Sequence, residues 1–327
     1  MMWHVRENPC GGIAALEKSA SRYHHAPGTA RGCGAQFRAV IIILVLACVG
    51  ADIRCARAGE DPPATLGGKY GLEADLAGQS KPAALDLSIG PWYRYIYHAD
   101  NSRLWNGLYV KGGSLLSLNP AYGQLGIYVE WMPISILQLR AQFDRFSFFG
   151  RDGSLLSYND KNEHYGYRDL RRRRGQEISG EADRWMIQPT LRGEYGRYVV
   201  ENDATYAFYR YEQTGPYFWD QEYDTLLQKQ DRLFADDVYI LYNCPPDERY
   251  EKLLVGPSFE VVRAYGANLT RERLGVSLYY EPVPGKSILG YTQHPRFYFQ
   301  AGLNTKDRNQ DDQFYFLGGI GTELNFD

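Results

Sequence analysis

Residues 135–146, SILQLRAQFDRF, place Leu137, Leu139, Ala141 and Phe143 on one parity and Gln138, Arg140, Gln142 and Asp144 on the other. Successive side chains of a β-strand point to opposite faces, so this spacing predicts a ribbon with one apolar and one charged side. The pattern recurs. From Leu85 to His98 the odd positions carry Leu85, Leu87, Ile89, Tyr93, Tyr95 and Tyr97, and the even ones Asp86, Ser88, Trp92, Arg94 and His98. Leu125, Ile127, Val129 and Trp131 oppose Gln124, Tyr128 and Glu130, and the tight turn at Met132, Pro133 and Ile134 predicts a hairpin with 135–146. Further ribbons are read at 185–195, 198–208, about 238–242, 252–265, 272–281, 295–304 and 313–326.

Between the ribbons, long loops alternate with short turns. The stretch after Phe149, which contains RDLRRRRGQE, and the polar, aromatic stretch at about 212–232 lack alternation, whereas the turns at Pro133 and Gly196 are short. Residues 104–118 alternate weakly and carry glycines, so they belong to a first long loop or conceal a pair of strands. Residues 59–83 are rich in Pro and Gly and predict a flexible tail. The count is ten strands, or twelve if 104–118 hides a pair; it is even because both termini fall on one side.

The start of the chain changes the picture. Basic residues Arg31 and Arg38 precede the apolar run AVIIILVLACVGA, which is too short for a transmembrane helix of about 20 residues. An A-x-A pattern, Ala56 to Ala58, follows. This three-part order predicts a secretory signal peptide cleaved between Ala58 and Gly59, so that residues 1–58 are leader. The domain reading is therefore leader at 1–58, periplasmic tail at 59–83 and barrel at 84–327. No other segment is apolar enough to span a membrane as a helix, so a membrane-embedded chain must be a barrel.

Alternation alone does not say which face is inside, because a soluble sandwich buries its leucines and a membrane barrel turns them to lipid. The last strand discriminates. Its end, GTELNFD, places Gly321, Leu324 and Phe326 in a Gly-x-x-hydrophobic-x-aromatic order. This resembles the C-terminal assembly signal of bacterial outer-membrane β-barrel proteins, although Asp327 follows the aromatic residue on which members of that class usually end. The resemblance covers 84–327 and implies an all-β, antiparallel, up-and-down transmembrane β-barrel in the bacterial outer membrane. Its partners would be outer-membrane lipid, lipopolysaccharide and, during biogenesis, the barrel-assembly machinery. Tyrosine is common, at 27 residues, and Tyr93, Tyr95 and Tyr97, gathered at one end of the 85–98 ribbon, fit the aromatic girdles of such barrels.

Composition then narrows the chemistry. The net charge of −3, more acidic once the basic leader is removed, does not point to nucleic acid. Of five cysteines only Cys244 lies beyond residue 58, which excludes an intrachain disulfide or a Cys-based metal site in the mature chain. The acidic stretch 304–313 lacks calcium-loop spacing. No cofactor is expected. If the apolar parity meets lipid, the other lines a lumen: Arg94, Glu130, Arg140, Asp144, Arg184, Arg192, Glu194, Glu201, Glu260 and Arg296, with Tyr128, Tyr279 and Tyr298. Mixed charges in a narrow lumen pair with one another, which predicts a plugged structural or surface ligand-binding barrel; the alternatives are a small-solute channel and a soluble periplasmic barrel. A lipid-modifying enzyme or protease is a further alternative. The histidines beyond the leader are His98, His164 and His294, and of these only His98, with Asp100 and Ser102 nearby, suggests a catalytic grouping, inward-facing at the outer end of the first strand. No catalytic motif accompanies it. The run Arg171, Arg172, Arg173 and Arg174 falls in an external loop and could contact the phosphates of lipopolysaccharide. The oligomeric state is open at this level.

Overall fold

The computed structural model describes residues 65–327 apart from 81–82, 101, 103, 214, 246–248, 284–291, 310–312 and 327. The leader and its Ala58–Gly59 junction lie outside the described residues. In chain order the elements are β1 (Gly67–Ser80), β2 (Ala83–His98), β3 (Leu108–Leu118), β4 (Tyr122–Ile134), β5 (Leu137–Phe149), β6 (Ser157–Tyr158), α1 (Tyr167–Arg172), β7 (Ser179–Tyr195), β8 (Tyr198–Tyr211), β9 (Tyr217–Asp220), β10 (Thr225–Gln228), β11 (Gln230–Asn243), β12 (Tyr250–Ala264), β13 (Leu269–Pro282), β14 (Thr292–Lys306) and β15 (Phe314–Phe326). Twelve of these strands form a closed antiparallel barrel in which each pairs with its neighbour along the chain, and β1 closes onto β15 with Tyr70 opposite Phe326. The short β6, β9 and β10 make a separate three-stranded sheet.

The alternation sorts the two faces. Leu85, Leu87, Ile89, Tyr93, Leu125, Ile127, Val129, Ile187, Leu274, Val276, Phe299 and Phe316 are exposed on the outer wall. The intervening Asp86, Gln124, Glu130, Arg140, Asp144, Arg184, Arg273 and Arg296 are buried inside. This is the inverse of a soluble barrel and the build of a transmembrane one. Paired tyrosines ring the end that carries the termini, Tyr198 with Tyr242 at 5.6 Å and Tyr250 with Tyr280 at 6.1 Å. The long connections 150–178 and 212–229 leave from the opposite end, here the loop end. At the short β7–β8 turn Gly196 has φ +61°, a conformation that disfavours any side chain.

Four expectations need correction. Residues 67–80 form β1 rather than part of a tail, so the barrel begins at 67 and not at 84; Gly68, Ala74 and Gly78 dilute the apolar contrast on its outer face. Residues 108–118 form one strand, not a loop or a pair, and with β1 they bring the count to twelve while keeping it even. Because β1 precedes it, β2 runs the other way from the expected first strand, which puts His98 at the terminus end, exposed and 3.3 Å from Asp100. Finally, β11 starts at Gln230 rather than near 238, since its inward side carries Leu233 and Ala235 and its outward side Arg232 and Asp236, which inverts the usual parity.

Candidate functional site

Side chains alone fill a barrel of about eight strands, so twelve strands leave space to be occupied. Near the terminus end charged and aromatic side chains occupy it. Lys111 on β3 lies 3.2 Å from Glu73 on β1, Arg296 on β14 lies 3.1 Å from Asp75 on β1, and Arg94 on β2 lies 4.0 Å from Glu323 on β15. Each pair reaches over an intervening strand. Cations also rest on rings, Arg140 at 3.9 Å from the centre of Tyr128 and Lys111 at 4.9 Å from that of Trp92. Tyr109 donates to Glu130 at 3.0 Å. Further round, Arg192 lies 3.7 Å from buried Glu201 and 3.3 Å from Glu194, which is exposed at the rim.

Toward the loop end the two long connections fold into the mouth. The amide of Trp219 donates to the Leu156 carbonyl at 3.0 Å, β6 pairs with β9 and β9 with β10, so 150–178 and 212–229 become one body. Leu155, Leu156, Phe218, Leu226 and Leu227 from these loops pack in one apolar core with Ala182, Met186, Ala207, Leu233, Ala235 and Val262 from the inner wall. Loop 150–178 also crosses to the β14–β15 connection, where the Asn309 amide oxygen lies 3.0 Å from His164 and accepts from the Tyr165 amide at 3.3 Å.

Polar anchors hold this plug to three well-separated parts of the circumference. On β7, Arg184 bridges the wall carboxylate Asp144, 2.8 Å away, and the plug carboxylate Glu222. On β13, Arg271 donates to the Tyr223 carbonyl at 2.5 Å, and Arg273 lies 4.0 Å from Asp224. On β1, Gln79 donates to the Gln221 carbonyl at 3.4 Å. Glu260 supports the β13 pair, bonded to Arg271 and 3.6 Å from Arg273. Asp144 is saturated, since its other oxygen accepts from Gln124 at 2.9 Å and Gln142 at 2.7 Å.

Burial, and then the charge of Glu222, push the Asp220 carboxyl in the plug up to about 7. Asp224 is raised too, by burial and the charge of Asp307. An Asp in the undocked loop would titrate near 3.9, so the docked plug holds more protons between about pH 4 and 7. Docking is therefore strongest near pH 4, weakens as pH rises toward 7 and levels off above it. Hydrogen exchange of 217–228, corrected for intrinsic rate, should be better protected at pH 4.5 than at pH 7.5, and Asp220→Asn should reduce the difference. Protection that instead rises with pH contradicts this assignment.

Of the residues singled out in the sequence, Arg94, Glu130, Arg140, Asp144, Arg184, Arg192, Glu260 and Arg296 line the lumen, while Glu194 sits at its rim. Glu73, Asp75, Lys111, Arg271, Arg273 and the plug acids are residues that the alternation does not single out; Glu73 and Asp75, like Arg271 and Arg273, are two apart and share a strand face, a spacing that becomes informative once the strand bounds, 67–80 and 269–282, are known. Arg171 to Arg174 sit in and after α1, in the 150–178 connection at the loop end. Arg173 is spent internally, donating to the Ser157 carbonyl at 2.6 Å and stacking 4.1 Å from the Tyr158 ring. Arg171, Arg172 and Arg174 are exposed. In the terminal strand, a Cβ on Gly321 would sit 2.0 Å from the Asp75 carboxylate and 2.6 Å from Arg296, so a glycine is required where that ion pair crosses β15. The Phe326 ring lies 5.8 Å from Tyr70 at the barrel seam. Among the described residues no cluster of His, Cys, Asp and Glu could hold a metal ion.

No family model and no curated protein matches the chain. Among solved structures it is similar to the translocator domain of the autotransporter NalP from Neisseria meningitidis, at 10% identity over 90% of this chain and 97% of that one, with a TM-score of 0.39. It is also similar to the beta domain of the Bordetella autotransporter Brka, at 12% identity over 80% of this chain and 100% of that one, TM-score 0.40, and to an anion-selective porin from Comamonas acidovorans, at 8% identity over 80% and 99%, TM-score 0.30. At this distance no functional argument rests on any of them. The barrel class follows from the wall itself: apolar outside, charged inside, closed, with aromatic pairs at the rim.

Proposed function

We propose that the chain is a bacterial outer-membrane β-barrel whose lumen is closed, working as a structural or surface-recognition protein and not as a pore. The observation that carries this reading is the attachment of the loop plug to β1, β7 and β13, with an apolar core between plug and wall and cross-strand ion pairs and a second apolar cluster in the lumen below. An apolar core at the mouth opposes the passage of water and hydrated solutes. The external surface offers the exposed Arg171, Arg172 and Arg174 on the outer loop, and outward guanidinium groups fit the phosphates of lipopolysaccharide. Secretion by a cleaved signal peptide and insertion through the barrel-assembly machinery accompany this reading.

Planar-bilayer recording tests it. The purified chain should give no resolved conductance steps, whereas replacing 212–229 by a short Gly/Ser turn should produce steady ohmic steps. Steps of that kind from the unaltered chain would favour the channel reading.

A further inference from the structure

The outer wall holds one feature that a lipid-facing surface does not explain. On β11 the outward side chains run Arg232, Phe234, Asp236, Val238, Ile240 and Tyr242. Arg232 lies over Tyr265 at 5.7 Å at the loop-end rim, and Tyr242 pairs with Tyr198 at 5.6 Å at the terminus-end rim. Ten residues of tilted strand rise roughly 25 Å, the height of the apolar band, so these two residues mark its borders. Asp236 is four residues from the first and six from the second, which puts a carboxylate near the middle of the band. Register confirms its face: Asp236 pairs with Ala204 on β8 and Val261 on β12, and Ala204 shares parity with the exposed Tyr206 and Phe208. Asn202, on the same outward parity, donates its amide to the Asp236 carboxylate and, at 3.3 Å, to the Asp237 carbonyl.

A carboxylate inside a membrane is costly, and such residues generally face protein or water instead of lipid tails. Asn202 and Asp236 together are self-complementary. Two copies related by a two-fold axis, each presenting this patch to the other, would bring each Asn202 amide to the other copy's carboxylate, its second N–H turning from the long contact with the Asp237 carbonyl. Ala204 beside Asp236 has only a methyl group, which leaves room for close approach. We propose that the β8–β11 wall is the contact face of a homodimer within the membrane, with Asn202 and Asp236 at its centre. This rests on the barrel standing in a bilayer.

Sedimentation equilibrium of the full chain in density-matched micelles should give twice the mass of one chain. The variant carrying Asn202→Leu and Asp236→Leu should fall to the mass of one chain while keeping the heat-modifiable gel shift of a folded barrel. With Cys244→Ser as background, Ala204→Cys should form an intermolecular disulfide in native membranes. A wild-type monomer at every protein-to-micelle ratio, or a dimer that survives the double substitution, would overturn the proposal. Recovery of the chain from the soluble fraction would overturn the membrane reading and this contact with it, whereas a membrane-embedded monomer overturns the contact alone.

Discussion

Arg184→Met should lower the stability of the folded barrel by about 3–5 kcal/mol in urea titrations, because removing one member of a buried ion cluster strands the others. Arg184 and Asp144 are 2% and 0% exposed, and Glu222 is joined to the same guanidinium. The methionine replaces the volume but leaves two carboxylates facing one another in a desolvated mouth. Adding Asp144→Leu and Glu222→Leu should restore part of the loss, since an apolar replacement of the whole cluster removes the stranded charges. A cost below about 1 kcal/mol for Arg184→Met would mean that water reaches the cluster and that the plug does not seal the lumen.

Ile127→Arg should cost about 2–4 kcal/mol, the penalty for a lipid-face arginine at the bilayer midplane, and should reduce the heat-modifiable fraction. Ile127 is 61% exposed near the middle of β4, with Leu125 and Val129 on either side of it. Leu139→Arg is the matched control. Leu139 pairs with Trp131, close to the turn at the terminus end, where the same substitution should cost only about 0–1 kcal/mol. Equal effects at the two positions would mean that the apolar band does not sit in lipid as its girdles suggest.

How legible all this was in the sequence depended on what each inward face touches. Where the lumen is filled by charges, as beside Arg140 and Asp144 on β5, polar residues alternate strictly with apolar ones and the strand can be read directly. Where the plug fills it, as beside Leu233 and Ala235 on β11, the inward residues are apolar as well and the contrast disappears. β1 was lost for a different reason, its small outward residues at Gly68, Ala74 and Gly78. The lumen side chains on readable strands could be named; their partners could not. Lys111 meets Glu73 across β2, and Arg296 meets Asp75 and Arg94 meets Glu323 only because the seam brings the first strand against the last. The plug left no trace in periodicity, since its stability comes from docking and its strands are two to four residues long.

The closure of β1 onto β15 also decides how this molecule can meet others. A sheet joined to itself has no edge, and the plug's margins are likewise occupied: β10 lies against β11, β12 and β13, and the Ser157 carbonyl of the two-residue β6 is taken by Arg173. Among the described residues, therefore, neither sheet holds out a long row of free backbone groups on which a foreign strand could grow. Association has to be made by side chains meeting face to face, so that specificity is written in a few outward positions and can be altered there without disturbing the backbone ladder.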